Sequence, residues 1–157
     1  MTHHPTQANQ FFQFEADFVD SLRCIPMQVR LKLDTCGIKL KLHQWNQFTQ
    51  DERQRLVESP CKTEAEILAY RAYLTQIIHE RTGEAAKELT IDPTPPWQDD
   101  TQIPESIRAK VDELGVSLTP SQWAALDPLQ RFALIKLSRS SHENSNFLPA
   151  MKEFHLV

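Results

Sequence analysis

Glycine is nearly missing from this chain, with three residues in 157. Phosphate-cradling loops and nucleophile elbows depend on glycine, and none of their spacings occurs, nor does an HExxH pair. So few glycines among so many helix formers point to an all-helical protein. Cysteine is also scarce: Cys24, Cys36 and Cys61 are an odd count without a CxxC spacing. They read as free thiols in a reducing compartment. No ligand spacing joins them to a histidine, so no metal, cluster or other cofactor is expected. Positive charge is short as well. A formal net charge of -4 argues against a general nucleic-acid or anionic-membrane binder. No apolar run approaches the length that spans a bilayer, and the opening MTHHPTQANQ has no leader pattern. A cytoplasmic location is the expectation.

What the chain does have is a passage that occurs twice. IPMQVRLKLDTCGIKLKLHQW, from Ile25 to Trp45, aligns without a gap to IPESIRAKVDELGVSLTPSQW, from Ile103 to Trp123. Ile25-Pro26, Arg30, Lys32, Asp34, Gly37 and Gln44-Trp45 match Ile103-Pro104, Arg108, Lys110, Asp112, Gly115 and Gln122-Trp123. Beyond the tryptophans, Arg53 matches Arg131 and Leu56 matches Leu134. We read an internal duplication: two tandem helix-turn-helix-type repeats, related by a pseudo-twofold and packed into one domain. The implied layout is an N-terminal arm (1–24), a first repeat (25–83), a Pro-rich connector (84–102) and a second repeat (103–157).

Each repeat opens with a helix whose first residue is a proline, Pro26 or Pro104. Ile25, Val29, Leu33 and Cys36 form one apolar stripe, and Ile103, Ile107, Val111 and Leu114 the other. Gly37 and Gly115 supply the left-handed residue that stops each helix. The links after them alternate apolar and polar, which suggests a very short two-stranded pairing between the repeats. A short helix carrying the tryptophan follows. Thr49 with Glu52, Asp127 with Gln130 and Thr63 with Glu66 then read as capping boxes. The first repeat adds a helix with the stripe Ile67, Tyr70, Leu74, Ile77 and Ile78, stopped by Gly83. Pro149 is expected to open a short last helix. In the connector, DPTPPW favours extended backbone with Trp97 folded back on the body. The phenylalanines of the arm need cover, expected over the first repeat.

A duplication supplies its own control. Positions kept in both copies are expected to serve the fold, so Arg30 and Asp34, with Arg108 and Asp112, are read as structural. Arg before Asp is the poorer order for a simple helical ion pair, which suggests more distant partners such as a cap or loop carbonyl. Positions special to the first copy are Cys24, Met27, Cys36, Lys39, Lys41 and His43. Their matches include Leu114 for Cys36, Ser117 for Lys39 and Thr119 for Lys41. The plainer readings are a buried Cys36 and a solvated lysine face. The functional readings are a partner-binding face of Arg23, Met27, Arg30, Lys39, Lys41 and His43, and a thiol site at Cys24 and Cys36. A calcium loop lacks the spaced carboxylates after Asp34, and a DNA-reading helix would need more than the one Arg in SQWAALDPLQRF. His79-Glu80 is the nearest approach to an acid/base pair and reads as surface, so no catalytic residue is assigned and no enzyme is expected.

The passage FQFEADFVDSLRCIPMQVRLKLDTCGIKLKLHQWNQF, from Phe12 to Phe48, resembles the nitrate reductase-associated protein family, and the likeness continues more loosely into the second repeat. That family implies a small cytosolic protein of cyanobacteria, encoded beside genes for assimilatory nitrate reductase and molybdopterin synthesis. It implies an accessory or maturation factor needed for active reductase, acting by protein binding, with the reductase as partner and ferredoxin as a weaker candidate. It brings no established catalytic residues. Two further readings stay open: a small-molecule or metal carrier in molybdenum-cofactor delivery, with a pocket lined by Cys24 or Cys36, and a non-catalytic regulator of nitrogen assimilation.

Overall fold

The computed structural model describes residues 11–15, 24–139 and 146–157. These divide into two compact units. The first comprises Phe11, Glu15 and residues 24–91, the second residues 12–14 and 92–157 within the described stretches. The fold is all-α, with eight helices and one two-stranded pairing among the described residues. The boundary between Ile91 and Asp92 falls inside the stretch expected to be a connector.

In the first unit, α1 (Met27–Cys36) is followed by β1 (Ile38–Lys39), α2 (Leu42–Gln47), α3 (Gln50–Glu58), α4 (Glu64–Thr82) and β2 (Lys87–Glu88). Pro26 sits at the N-cap of α1, one position earlier than expected. The Met27 N–H, which no helical carbonyl can reach, donates to the buried carboxylate of Glu15 at 2.8 Å. Ile25, Val29, Leu33 and Cys36 all turn inward as their spacing requires, and pack with Trp45, Phe48, Leu56, Val57, Tyr70, Leu74, Ile77 and Ile78 in one core. Each large side chain so covered contributes about 1.5–3 kcal/mol relative to exposure. Thr49 with Glu52 and Thr63 with Glu66 exchange both capping hydrogen bonds. The C-terminal end of α3 is closed from outside. Lys32, on α1, donates to the carbonyls of Val57 at 2.6 Å and Ser59 at 2.7 Å, while the buried Tyr70 hydroxyl donates to Leu56 O at 2.8 Å. Burial brings the Lys32 ammonium down to about 8.

The strand pairing differs from expectation. β1 pairs antiparallel with β2, Ile38 opposite Glu88 and Lys39 opposite Lys87, so the partner comes from the same unit. The link after Gly115 is in no strand; Val116 N instead closes back on Val111 O at 3.0 Å. The reason lies at Gly37. Its carbonyl accepts from Leu89 N at 2.8 Å, so the segment after α4 is laid along β1. A Cβ on Gly37 would stand 2.8 Å from the Ile91 side chain, whereas one on Gly115 would meet nothing within 4 Å.

The second unit holds a 3-10 turn at Pro96–Gln98, then α5 (Glu105–Leu114), α6 (Pro120–Ala125), α7 (Pro128–Arg139) and α8 (Phe147–Glu153), the last beginning ahead of Pro149. Ile107, Trp123, Phe132, Leu134, Phe147 and Met151 are fully buried. Trp97 does fold back, meeting Phe132 edge-on at 5.0 Å between centroids, and the Trp123 indole donates to Asp99 O at 2.9 Å. The arm departs from expectation. Phe12 and Phe14 stack on each other and meet Phe154 of this second unit, while the N–H groups of Gln13 and Phe14 donate to the Glu153 carboxylate. These residues form a 3-10 turn, Gln13–Glu15, rather than a strand or helix; Phe18 and Leu22 lie outside the described residues.

Matched positions have matched local roles in several places. α1 and α5 are both ten residues long and end on left-handed glycines, and α2 and α6 are both six. Trp45 and Trp123 are both fully buried. Arg30 Nε donates to Ile25 O at 3.1 Å, and Arg108 Nε to Ile103 O at 3.2 Å. Both arginines thus hold the carbonyl ahead of their own helix's proline, a loop carbonyl as expected but a local rather than a distant one. Arg53 closes on Phe48 O through Nε and Nη2, but its match Arg131 is buried near the Trp123 ring with Nε and Nη1 unbonded.

The two glycines allow a paired test. Gly115→Ala carries only the left-handed backbone cost of about 1–2 kcal/mol. Gly37→Ala adds the displacement of Ile91 and is expected to cost about 1 kcal/mol more. Chemical denaturation of the two variants measures the difference, and adding Ile91→Ala to Gly37→Ala recovers part of it.

Candidate docking site

The residues special to the first copy are separated by the structure into exposed and interior groups. Arg23 lies outside the described residues. Met27 is 3 % exposed and Cys36 1 % exposed, so neither contributes to an open face. This corrects the expectation for Met27, and for Cys36 the plainer reading holds. Cys24 is half-buried. Arg30 is half-buried, its Nε engaged by Ile25 O. Lys39 and His43 are exposed and Lys41 half-buried, at the corner between α1 and α2.

That corner is built from the backbone outward. Gly37 ends α1 in the left-handed conformation (φ 77°), and Leu33 O accepts its N–H. The turn aims Ile38 into the core, 1 % exposed, and by the alternation of a strand Lys39 points away. Lys41 then caps α2, its N–H donating to Gln44 Oε1 at 2.9 Å; Thr119 and Gln122 make the same bond in the second unit. Gln44 Nε2 also donates to Glu84 Oε1 at 2.8 Å, with His43 Nε2 3.2 Å from the same oxygen. These bonds, Gln44 foremost, hold the Glu84 carboxyl below its ordinary range.

Sequence reasoning missed the residues that frame this corner from the far side. Arg71, on α4, donates through Nη1 to Cys36 O at 2.7 Å and Gly37 O at 3.3 Å, and through Nη2 to the Glu88 carboxylate. One side chain therefore ties the end of α1 to β2. Lys87 stands directly opposite Lys39 on the ladder and is exposed. The available signal was the alternation Lys87, Leu89, Ile91 following Gly83, which reads as a short extended run.

The two buried thiols, Cys36 and Cys61, are chemically quiet. Cys36 Sγ donates to Leu33 O at 3.8 Å, and Cys61 Sγ to Lys32 O at 3.9 Å. Burial pushes Cys36 up to about 11 and Cys61 up to about 12. Among the described residues no three His, Cys, Asp or Glu side chains converge as metal ligands, and no helix is long and apolar enough to cross a membrane. His79 and Glu80 are both exposed.

A family model described as conserved nitrate reductase-associated protein matches residues 11–154. The chain belongs to that family. Comparison with curated proteins finds no match, and comparison with solved structures finds none. The match spans both units, and its description points to association with nitrate reductase.

The thiol geometry gives an expected outcome. At pH 8 a disulfide-exchange reagent reacts with one thiol of the native protein, Cys24, and with Cys36 and Cys61 only after unfolding. The two buried thiols also set a pH dependence. Their folded values lie above the ordinary 9.0, so from pH 9 up to about 11 for Cys36 and about 12 for Cys61 the unfolded chain holds fewer protons than the native one. Their contribution to stability is therefore present below pH 9 and is lost as pH rises through that window. Denaturation midpoints of wild type and Cys36→Ala measured across it should converge.

Proposed function

We propose that this protein is a non-catalytic accessory or maturation factor for assimilatory nitrate reductase, acting in the cytoplasm by binding the reductase. The observation that carries this reading is the family match over nearly the whole chain. The surface at the corner of α1 and α2 agrees with it. Lys39 and His43 are exposed there and Lys41 half-buried, and the matching positions of the second unit carry Ser117 and Thr119 in place of the lysines. Ferredoxin, an acidic electron donor, would suit the same charge and is the weaker partner. The carrier alternative asks for a pocket lined by Cys24 or Cys36; Cys36 is buried and bonded to its own helix, which leaves that reading to the half-buried Cys24.

Affinity purification of the protein from a native extract tests the reading. The reductase is expected to co-purify, and its molybdenum content then reports whether binding precedes or follows cofactor loading. Lys39→Glu with Lys41→Glu should lower the recovered reductase, with the loss greatest at low salt, because rim charges act mainly on association rate. Undiminished recovery would remove this face from the proposal, and absence of the reductase would remove the function.

A further inference from the structure

We propose that the outer face of the β1–β2 ladder, Lys39 and Lys87 with Lys41 beside them, recognises an acidic protein segment carrying two or more neighbouring carboxylates. Like charges set directly opposite one another on an antiparallel ladder repel, so the Lys39–Lys87 pair works against the pairing that creates it. The positions matching Lys39 and Lys41 in the second unit are Ser117 and Thr119, on a link that lies in no strand, so the lysine pair belongs to this ladder alone. No ion pair neutralises Lys39 or Lys87 among the described residues. Of the carboxylates nearby, Glu88 is held by Arg71 on the ladder's other face. Glu84, hydrogen-bonded by Gln44 and His43, lies near enough to Lys41 to feel its charge. Lys39 and Lys87 therefore carry the recognition and Lys41 only assists.

The ladder is also braced from behind. Arg71 grips Cys36 O, Gly37 O and Glu88, Leu89 N bonds Gly37 O, and Ile91 packs where a Gly37 side chain would stand. While the ladder is closed the two lysines stand on a braced backbone, which reduces the ordering cost of binding. Cross-strand Cβ atoms lie about 5 Å apart, a separation that suits adjacent carboxylates. Lysine ammonium groups are mobile point charges, suited to a carboxylate cluster rather than to one planar group held in a fork. A nucleic acid would ask for a longer basic track and an aromatic platform. Three lysines supply neither, and Ile38 on the ladder is turned into the core. The identity of the partner as the reductase rests on the docking reading above; the acidic chemistry rests on the ladder alone.

The test uses the full chain and three separate probes: a labelled ten-residue glutamate peptide, a single-stranded oligonucleotide of equal charge, and purified nitrate reductase. Lys39→Gln/Lys87→Gln is compared with Lys62→Gln/Lys152→Gln, which removes two exposed lysines elsewhere. Binding is read at about 50 and about 150 mM salt, where screening lengths differ enough to expose a charge-dependent contact. The ladder variant is expected to bind the peptide about tenfold more weakly with a flatter salt dependence, the control pair staying at wild type. Equal weakening in the two variants, no peptide binding by wild type, or tighter binding of the oligonucleotide overturns the proposal. Peptide binding that needs the ladder, with no reductase binding by wild type, leaves the ladder standing and sinks the docking reading. Reductase binding indifferent to the ladder variant does the reverse.

Discussion

The first unit depends on one backbone conformation, the left-handed turn at Gly37. It stops α1 and sends Ile38 inward and Lys39 outward, and it frees a carbonyl for Leu89. Because glycine has no Cβ, Ile91 can lie directly against the turn. The segment 87–91 becomes a strap as a result. It lies against the turn that ends α1, whereas a Cβ on Gly115 in the second unit would meet nothing within 4 Å and the preceding Leu114 is 37 % exposed. The same strap brings Lys87 across from Lys39. Core, register and surface charge at this corner follow from one residue.

The helical architecture was legible because its signals are local. Stripes at helical spacing, reciprocal capping boxes and glycine stops all depend on residues within a few positions of each other, and they form where their residues fall. The exceptions are Leu114, which leaves its stripe for the surface, and Pro26 and Pro104, which are N-caps rather than first helical residues. The strand pairing was not legible in the same way. A two-residue strand has no periodicity of its own, and its partner is chosen by whichever backbone groups lie near an open carbonyl. The duplication pointed to the wrong partner because it drew attention to the link after Gly115, whereas the pairing uses residues that have no counterpart in the second copy. The arm failed for a related reason: alternating phenylalanines announce that cover is needed, not which surface supplies it.

Residues present in only one of the matched segments do not share one kind of environment. Lys39 and His43 are exposed and Lys41 half-buried, but Met27 and Cys36 are packing residues, because matched segments with different neighbours must also fill differently shaped interiors. The converse control has a limit as well. Arg53 and Arg131 match in sequence, yet only Arg53 satisfies its guanidinium on the carbonyl that precedes its helix, and Arg131 lies against Trp123 instead. Shared identity fixes a residue's place in a helix and leaves its partner to be set by whatever packs alongside.

The β1–β2 ladder also has a consequence in time. Residues 39 and 87 are joined only after α2, α3 and α4 intervene, and closing so long a loop is entropically unfavourable until those helices have assembled. A two-residue ladder returns little for that closure, so the strap is the last part of the first unit to fasten and the first to open. Amide protons of residues 87–91 are expected to exchange with solvent well before those of α4, which would make this edge adjustable without unfolding the core beneath it.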